Sequence, residues 1–280
     1  MLVHRFPDIY NTTNTIGAIA NILCVMVLIL FVWRKHAQAK TATDWPTWNP
    51  LHYLKKDQRH KFNPVWFMLC FLAAYVVLIN TLTLTTTLFS PVNVRGSLSF
   101  IAGDSSFASG VLFFIITFLL LTLFFPGNGK PTRQLELIFP AFALQHMFNR
   151  LACFFGVCCF GVPFRFGLIF PEGTWASLAY GIGARVFPTQ LLEATIMLLC
   201  FGLILLLQHR GKRTLPIFPL VFGATGFMMG FVMSTSLPSV IQLQPLFGFT
   251  NPTAFTHLLI FFIGAGFLFL QIMQSKRKNT

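Results

Sequence analysis

Apolar runs of about twenty residues alternate with short basic clusters along the whole chain, and no other feature constrains its fold as tightly. A helix needs roughly twenty mostly apolar residues to cross the hydrocarbon core of a bilayer. Such runs lie at about 15–33, 64–89, 99–125, 135–160, 189–208, 215–234 and 254–273. Most of the twenty Lys and Arg residues fall in four segments: Arg34 to Lys61, Lys130 to Arg133, Arg210 to Arg213, and Lys276 to Lys278. Every alternate loop is thereby basic, and basic loops are retained on the cytoplasmic side, where they meet anionic headgroups. The expected class is an all-α polytopic membrane protein. It would be one integral domain of about seven transmembrane helices, with its N-terminus outside and its C-terminus inside.

Composition excludes the soluble alternative. The chain is 55% hydrophobic and 10% charged, whereas a soluble domain carries roughly a quarter charged residues. Seven acidic residues cannot solvate a surface of this size, and 35 Phe exceed what one water-soluble core uses. The net charge of +13 raises nucleic acid as a partner, but the bases sit at the ends of apolar runs rather than on one face. No nucleic-acid partner is expected. Trp45, Trp48 and Tyr53 among the bases of the 34–61 loop suit a segment lying on the membrane surface. Met1 to Tyr10 lacks the basic start, short apolar stretch and small-residue cleavage site of a removable signal peptide.

Cys24, Cys70 and Cys200 fall inside apolar runs, where Cys behaves as a small hydrophobe. Cys153, Cys158 and Cys159 are candidate thiols, but their spacing lacks the paired C-x2-C units of zinc sites. No metal and no cofactor is expected. A disulfide on an oxidising outer face and a tight helix-ending turn between Gly156 and Gly161 are both open readings of the Cys158–Cys159 pair.

Ionisable groups at membrane depth are costly and mark a polar site by default. Asp104, His146, Arg150 and Glu193 meet that description. His146, Asn149, Arg150 and Cys153 lie at separations of three, four and seven, which places them on one helix face, with Gln145 beside it. Two readings of Arg150 stand: it pairs with Glu193 or Asp104 to hold helices together, or its guanidinium fork binds a lipid phosphate.

Asn149-Arg150-Leu151-Ala152-Cys153-Phe154-Phe155-Gly156-Val157-Cys158-Cys159-Phe160-Gly161-Val162-Pro163 resembles the central motif of the prolipoprotein diacylglyceryl transferases, in the branch that carries a Gly-Cys-Cys step. Phe187-Pro188-Thr189-Gln190-Leu191-Leu192-Glu193-Ala194 is similar to that family's fifth-span motif, and Gly96-Ser97-Leu98-Ser99-Phe100-Ile101-Ala102-Gly103 to its upstream glycine motif. The resemblance implies a transferase of the bacterial inner membrane, moving a diacylglyceryl group from phosphatidylglycerol to the cysteine of a prolipoprotein. Arg150 would clamp the phosphate and Glu193 would serve catalysis. Gln190 matches a position that would orient the site; Asn149, which stands where the family carries Gly, and the membrane-depth groups Asp104 and His146 are further candidates to line the substrate. The sequence departs from the family where Ile101 and Phe187 replace histidines, and no Lys or Arg occurs between Arg213 and Lys276 to match its second arginine. Arg165 or Arg185 would then reach the phosphate from a loop. The alternative is a non-catalytic or re-specialised lipid-binding protein on the same scaffold.

Overall fold

The computed structural model describes residues 22–23, 25–29, 67–78, 102–124, 131–156, 160–172, 174–236 and 252–279. Residues 34–61, 90–96 and 237–251, together with Cys158 and Cys159, lie outside the described residues. Helical backbone occupies the described part of 22–29. Six longer or intermediate helices follow: α1 (Phe67–Leu78), α2 (Ala102–Phe124), α3 (Pro131–Phe155), α5 (Thr189–His209), α6 (Ile217–Ser236) and α7 (Pro252–Asn279). A six-residue helix α4 (Trp175–Tyr180) lies between strands β1 (Pro163–Ile169) and β2 (Arg185–Val186).

The outer surface is apolar, as a lipid solvent requires. Leu199 is 67% exposed and Phe269 62%, while Arg150 is 1% and Glu193 2% exposed. Leu120, Val76, Met228 and Phe262 continue the outward apolar surface. Helices α5 and Ala254–Lys276 of α7 are long and apolar enough to cross a membrane. Helix hydroxyls are satisfied locally, as a lipid solvent demands: Thr195 of α5 donates to the Leu191 carbonyl (2.8 Å), and Thr122 of α2 is shared between those of Phe118 and Leu119 (both 2.9 Å).

Lipid tails are as apolar as leucine, so hydrophobicity alone does not bring such helices together; close packing does. The interior is a lattice of phenylalanines. Phe114 meets Phe142 edge-on at 4.8 Å and Phe71 at 5.6 Å, and Phe139 lies 5.2 Å from Phe218. Edge-to-face geometry adds roughly 0.5–1.5 kcal/mol per pair beyond contact area.

Helices α6 and α7 are the most extensively packed pair, followed by α3 and α5. Small residues make the first contact. A Cβ on Gly223 would stand 2.5 Å from the Phe261 backbone nitrogen, and one on Gly264 would stand 2.7 Å from that of Leu220. The second contact is held by polar groups at both ends. At one end, Glu136 Oε1 accepts from the backbone N–H groups of Thr214 and Leu215 (3.3 Å each), and Gln208 donates to the Glu136 carbonyl at 2.7 Å. The turn joining α5 to α6 is thereby tied to the start of α3.

Pro140 sits inside a helix that runs unbroken from Pro131 to Phe155. That helix ends five residues before the apolar run does, and the chain then turns into a hairpin the apolar pattern did not suggest. β1 and β2 pair antiparallel, with Val186 opposite both Pro163 and Leu168. Residues 164–167 therefore bulge off the ladder. Gly167 permits it, because a Cβ there would overlap the Val186 backbone at 2.4 Å. Phe160, Phe170, Ala176 and Val186 form a small separate core beneath the hairpin.

Candidate active site

Helix α3 delivers Arg150 and His146 one turn apart, and α5 delivers Glu193 and Gln190 from its first turns. The α3–α5 packing brings the two sets together. Arg150 Nη2 lies 2.5 Å from Glu193 Oε2, and His146 Nε2 lies 3.7 Å from the same oxygen. Gln190 and Thr189 are buried beside them. Asn149, on the same helix face, is half-buried, and Cys153 one turn further on is also half-buried. Gln145 donates to the Tyr75 hydroxyl at 3.1 Å, which ties α1 to the polar face of α3.

The ends of α5 are set by its surroundings. Gly161 N–H donates to the Phe187 carbonyl (3.0 Å), and Phe187 N–H donates to that of Val162 (2.9 Å). A Cβ on Gly161 would stand 2.8 Å from Thr189 Cγ2. The residues following α3 are thus pressed against the residue that starts α5, which fixes the depth at which Gln190 and Glu193 project.

An isolated charge inside a lipid-embedded bundle is not tolerated. Pairing settles that here, because the guanidinium and carboxylate cancel at contact distance. Breaking a buried pair by removing one partner costs roughly 3–5 kcal/mol, since the survivor remains buried.

Aromatic rings bound the pair on its other side. Phe107 of α2 stacks on the His146 imidazole (5.1 Å, 25°), and Phe222 of α6 meets it edge-on (4.9 Å, 87°). Phe222 also touches His257 of α7 at 4.8 Å. His257 is fully buried. Its imidazole fills the space over Gly226, where a Cβ would overlap the ring. The rule that singles out His146, an ionisable group inside an apolar run, singles out His257 as well. Sequence spacing gives it no partner, because the ring it meets, Phe222, lies on another helix.

The structure gathers Arg150, Glu193, His146 and Gln190 into one place. It does not bring Arg165 or Arg185 there. Arg165 is exposed on the bulge with its guanidinium 5.5 Å from the Phe166 ring centre, and Arg185 is exposed and donates to the Gly167 carbonyl at 3.4 Å. Asp104 lies in the first turn of α2, where only the backbone is described. Among the described residues, no three or more His, Cys, Asp or Glu side chains group as a metal site would require.

A bundle with lipid-compatible outer faces and a buried Arg–Glu–His cluster is an integral membrane protein built around an internal polar site. Residues 61–270 match the family model described as prolipoprotein diacylglyceryl transferase. The chain belongs to that family, whose members act in lipoprotein biosynthesis at the membrane. A comparison with curated protein sequences found no match.

Proposed function

We propose that the chain transfers the diacylglyceryl group of phosphatidylglycerol to the thiol of a prolipoprotein cysteine, on the outer side of a bacterial inner membrane. The buried Arg150–Glu193 pair, with His146 against the same carboxylate, carries this reading. With the N-terminus outside and seven spans, these residues come to the outer half of the bilayer. There, an exported cysteine and an outer-leaflet phospholipid can both reach them.

The reaction is a displacement at carbon. The thiol sulfur bonds to the glyceryl carbon that bears the phosphodiester, and the carbon–oxygen bond breaks with its electron pair on the phosphate side. Glycerol phosphate leaves and the thiol proton goes to a base. Arg150 has five N–H donors in a fixed fork, so it can keep Glu193 while turning others to the phosphate. Its charge then meets the charge that develops on the leaving group, a contribution of roughly 3–4 kcal/mol by analogy with single oxyanion donors. His146 takes the thiol proton, and Glu193 balances the charge His146 gains. Phe107 and Phe222 keep water from the imidazole.

A second reading has its own support. Glu193 already neutralises Arg150, and Ile101, Phe187 and the stretch from Thr214 to Ser275 supply no further Lys or Arg. Such a site suits a zwitterionic or anionic lipid that is held without being cleaved. One assay separates the two: purified protein with phosphatidylglycerol labelled in its acyl chains and a lipobox peptide. Transfer predicts label on the peptide cysteine. Label that stays on phospholipid, while a standard member of the family works alongside, overturns the first reading and leaves the second.

A further inference from the structure

We infer that residues 160–187 form a cap seated in the headgroup layer of an anionic bilayer, anchored by the bulge Phe164–Phe166. The inference rests on α5 spanning a membrane and not on any transfer activity.

Location comes first. The 21 residues of α5 extend about 31 Å at roughly 1.5 Å per residue, close to the ~30 Å of a bilayer's hydrocarbon core. The N-terminus of α5 therefore lies at a membrane boundary. β2 ends at Val186, with only Phe187 and Pro188 before that helix begins. At the other end of the cap, Gly161 is held against Phe187 and Thr189. Both ends of the cap are thus fixed at that boundary, whichever side of the membrane it faces.

Its surface chemistry matches that layer. Phe166 is 76% exposed and Ile182 73%, with Phe164 and Ile169 exposed beside them. In water these side chains would form an apolar patch of the kind that associates. At the headgroup level, aromatic rings and arginine side chains are at home, with the ring in lipid and the cation among phosphates. Arg165 and Arg185 are the cap's two basic residues, against one acid, Glu172. All three are exposed, and the excess of cation selects an anionic surface. An extended peptide is the weaker occupant. Strand addition needs a regular unpaired edge, and the break in register between Pro163 and Leu168 interrupts β1 at its exposed stretch.

Phe166→Trp in the full-length protein, reconstituted into vesicles, tests this. Its emission is read as the difference from the parent, in phosphatidylcholine alone and in phosphatidylcholine mixed with phosphatidylglycerol. Quenching is compared between lipids carrying a nitroxide near the headgroup, lipids carrying it deep in the chain, and aqueous iodide. The cap predicts blue-shifted emission and strongest quenching by the shallow nitroxide. In anionic vesicles the ratio of lipid-quenched to iodide-quenched signal should rise, and Arg165→Gln or Arg185→Gln should each lower it by roughly fivefold. Emission at the position of water-exposed Trp, quenched by iodide in both lipids, overturns the inference and marks the bulge as a surface for a soluble partner. Equal shallow quenching in both lipids overturns the selection for anionic surfaces. Neither result depends on whether the protein transfers a diacylglyceryl group.

Discussion

Glu136 and Glu193 lie at opposite ends of the α3–α5 pair, and their surroundings differ in kind. Glu136 is half-buried and accepts from two successive backbone N–H groups. Glu193 is buried and meets a guanidinium and an imidazole. An acid that satisfies backbone amides closes a turn and has nothing left to offer a substrate. An acid that holds a guanidinium keeps a charge available, because a phosphate can share that cation. The same residue type is a fastening in one setting and a site in the other, and only the partner tells them apart.

Removing the cation should have the largest effect. Arg150→Ala is expected to lower transfer by about 10²–10³-fold and stability by roughly 3–5 kcal/mol. Arg150→Lys should restore stability more than activity, because an ammonium lacks the planar fork. Labelled-lipid transfer and thermal unfolding in detergent measure the two separately. Equal activity in the parent, Arg150→Lys and Arg150→Ala would end the claim that the Glu193 end is a site.

The next effect falls outside the pair of glutamates, at the glycine contact between α6 and α7. Gly226→Val must expel the His257 ring, and a strain of about 3 kcal/mol should appear as a lowered unfolding temperature. An unchanged temperature would show that the two helices part easily there. Smaller again is Glu136→Ala, which should cost about 2 kcal/mol while transfer by the folded fraction stays at parental level. Transfer lost from a fully folded Glu136→Ala protein would collapse the distinction between the two acids. The smallest is Tyr75→Phe, which removes one interhelical hydrogen bond worth roughly 0.6 kcal/mol and is best read as a small shift in the same unfolding curve.

The sequence shows some of this architecture plainly and hides the rest for physical reasons. Helices follow from apolar runs because a lipid solvent forces backbone polar groups to pair within the segment. The Arg150–Glu193 pairing was one of two readings open from the sequence, since a buried charge must find an opposite one. Phosphate binding, the other reading, remains compatible with it. The hairpin was hidden because the stretch after the run at 135–160 shows only scattered glycines and aromatics, and nothing periodic announces that Gly167 must lie flat on Val186. The role of Glu136 was equally hidden: its partners lie 78 and 79 residues away, in a loop that looked merely basic. His257 and Gly226 make a third case. A ring and the gap that receives it are on different helices, and sequence spacing carries no trace of their meeting.

The two glutamates also have a joint consequence for motion. Glu136 and Arg150 are fourteen positions apart on α3, about 21 Å along its axis, and each is fastened to the α5 segment or the turn that follows it. A rod pinned at one point can swivel or slide along its neighbour; a rod pinned at both ends can do neither. Helices α3 and α5 thus act as a fixed strut across the thickness of the membrane. On the side of His146 away from this strut lie the rings of Phe107 and Phe222, with His257 beyond, and none of the three belongs to it.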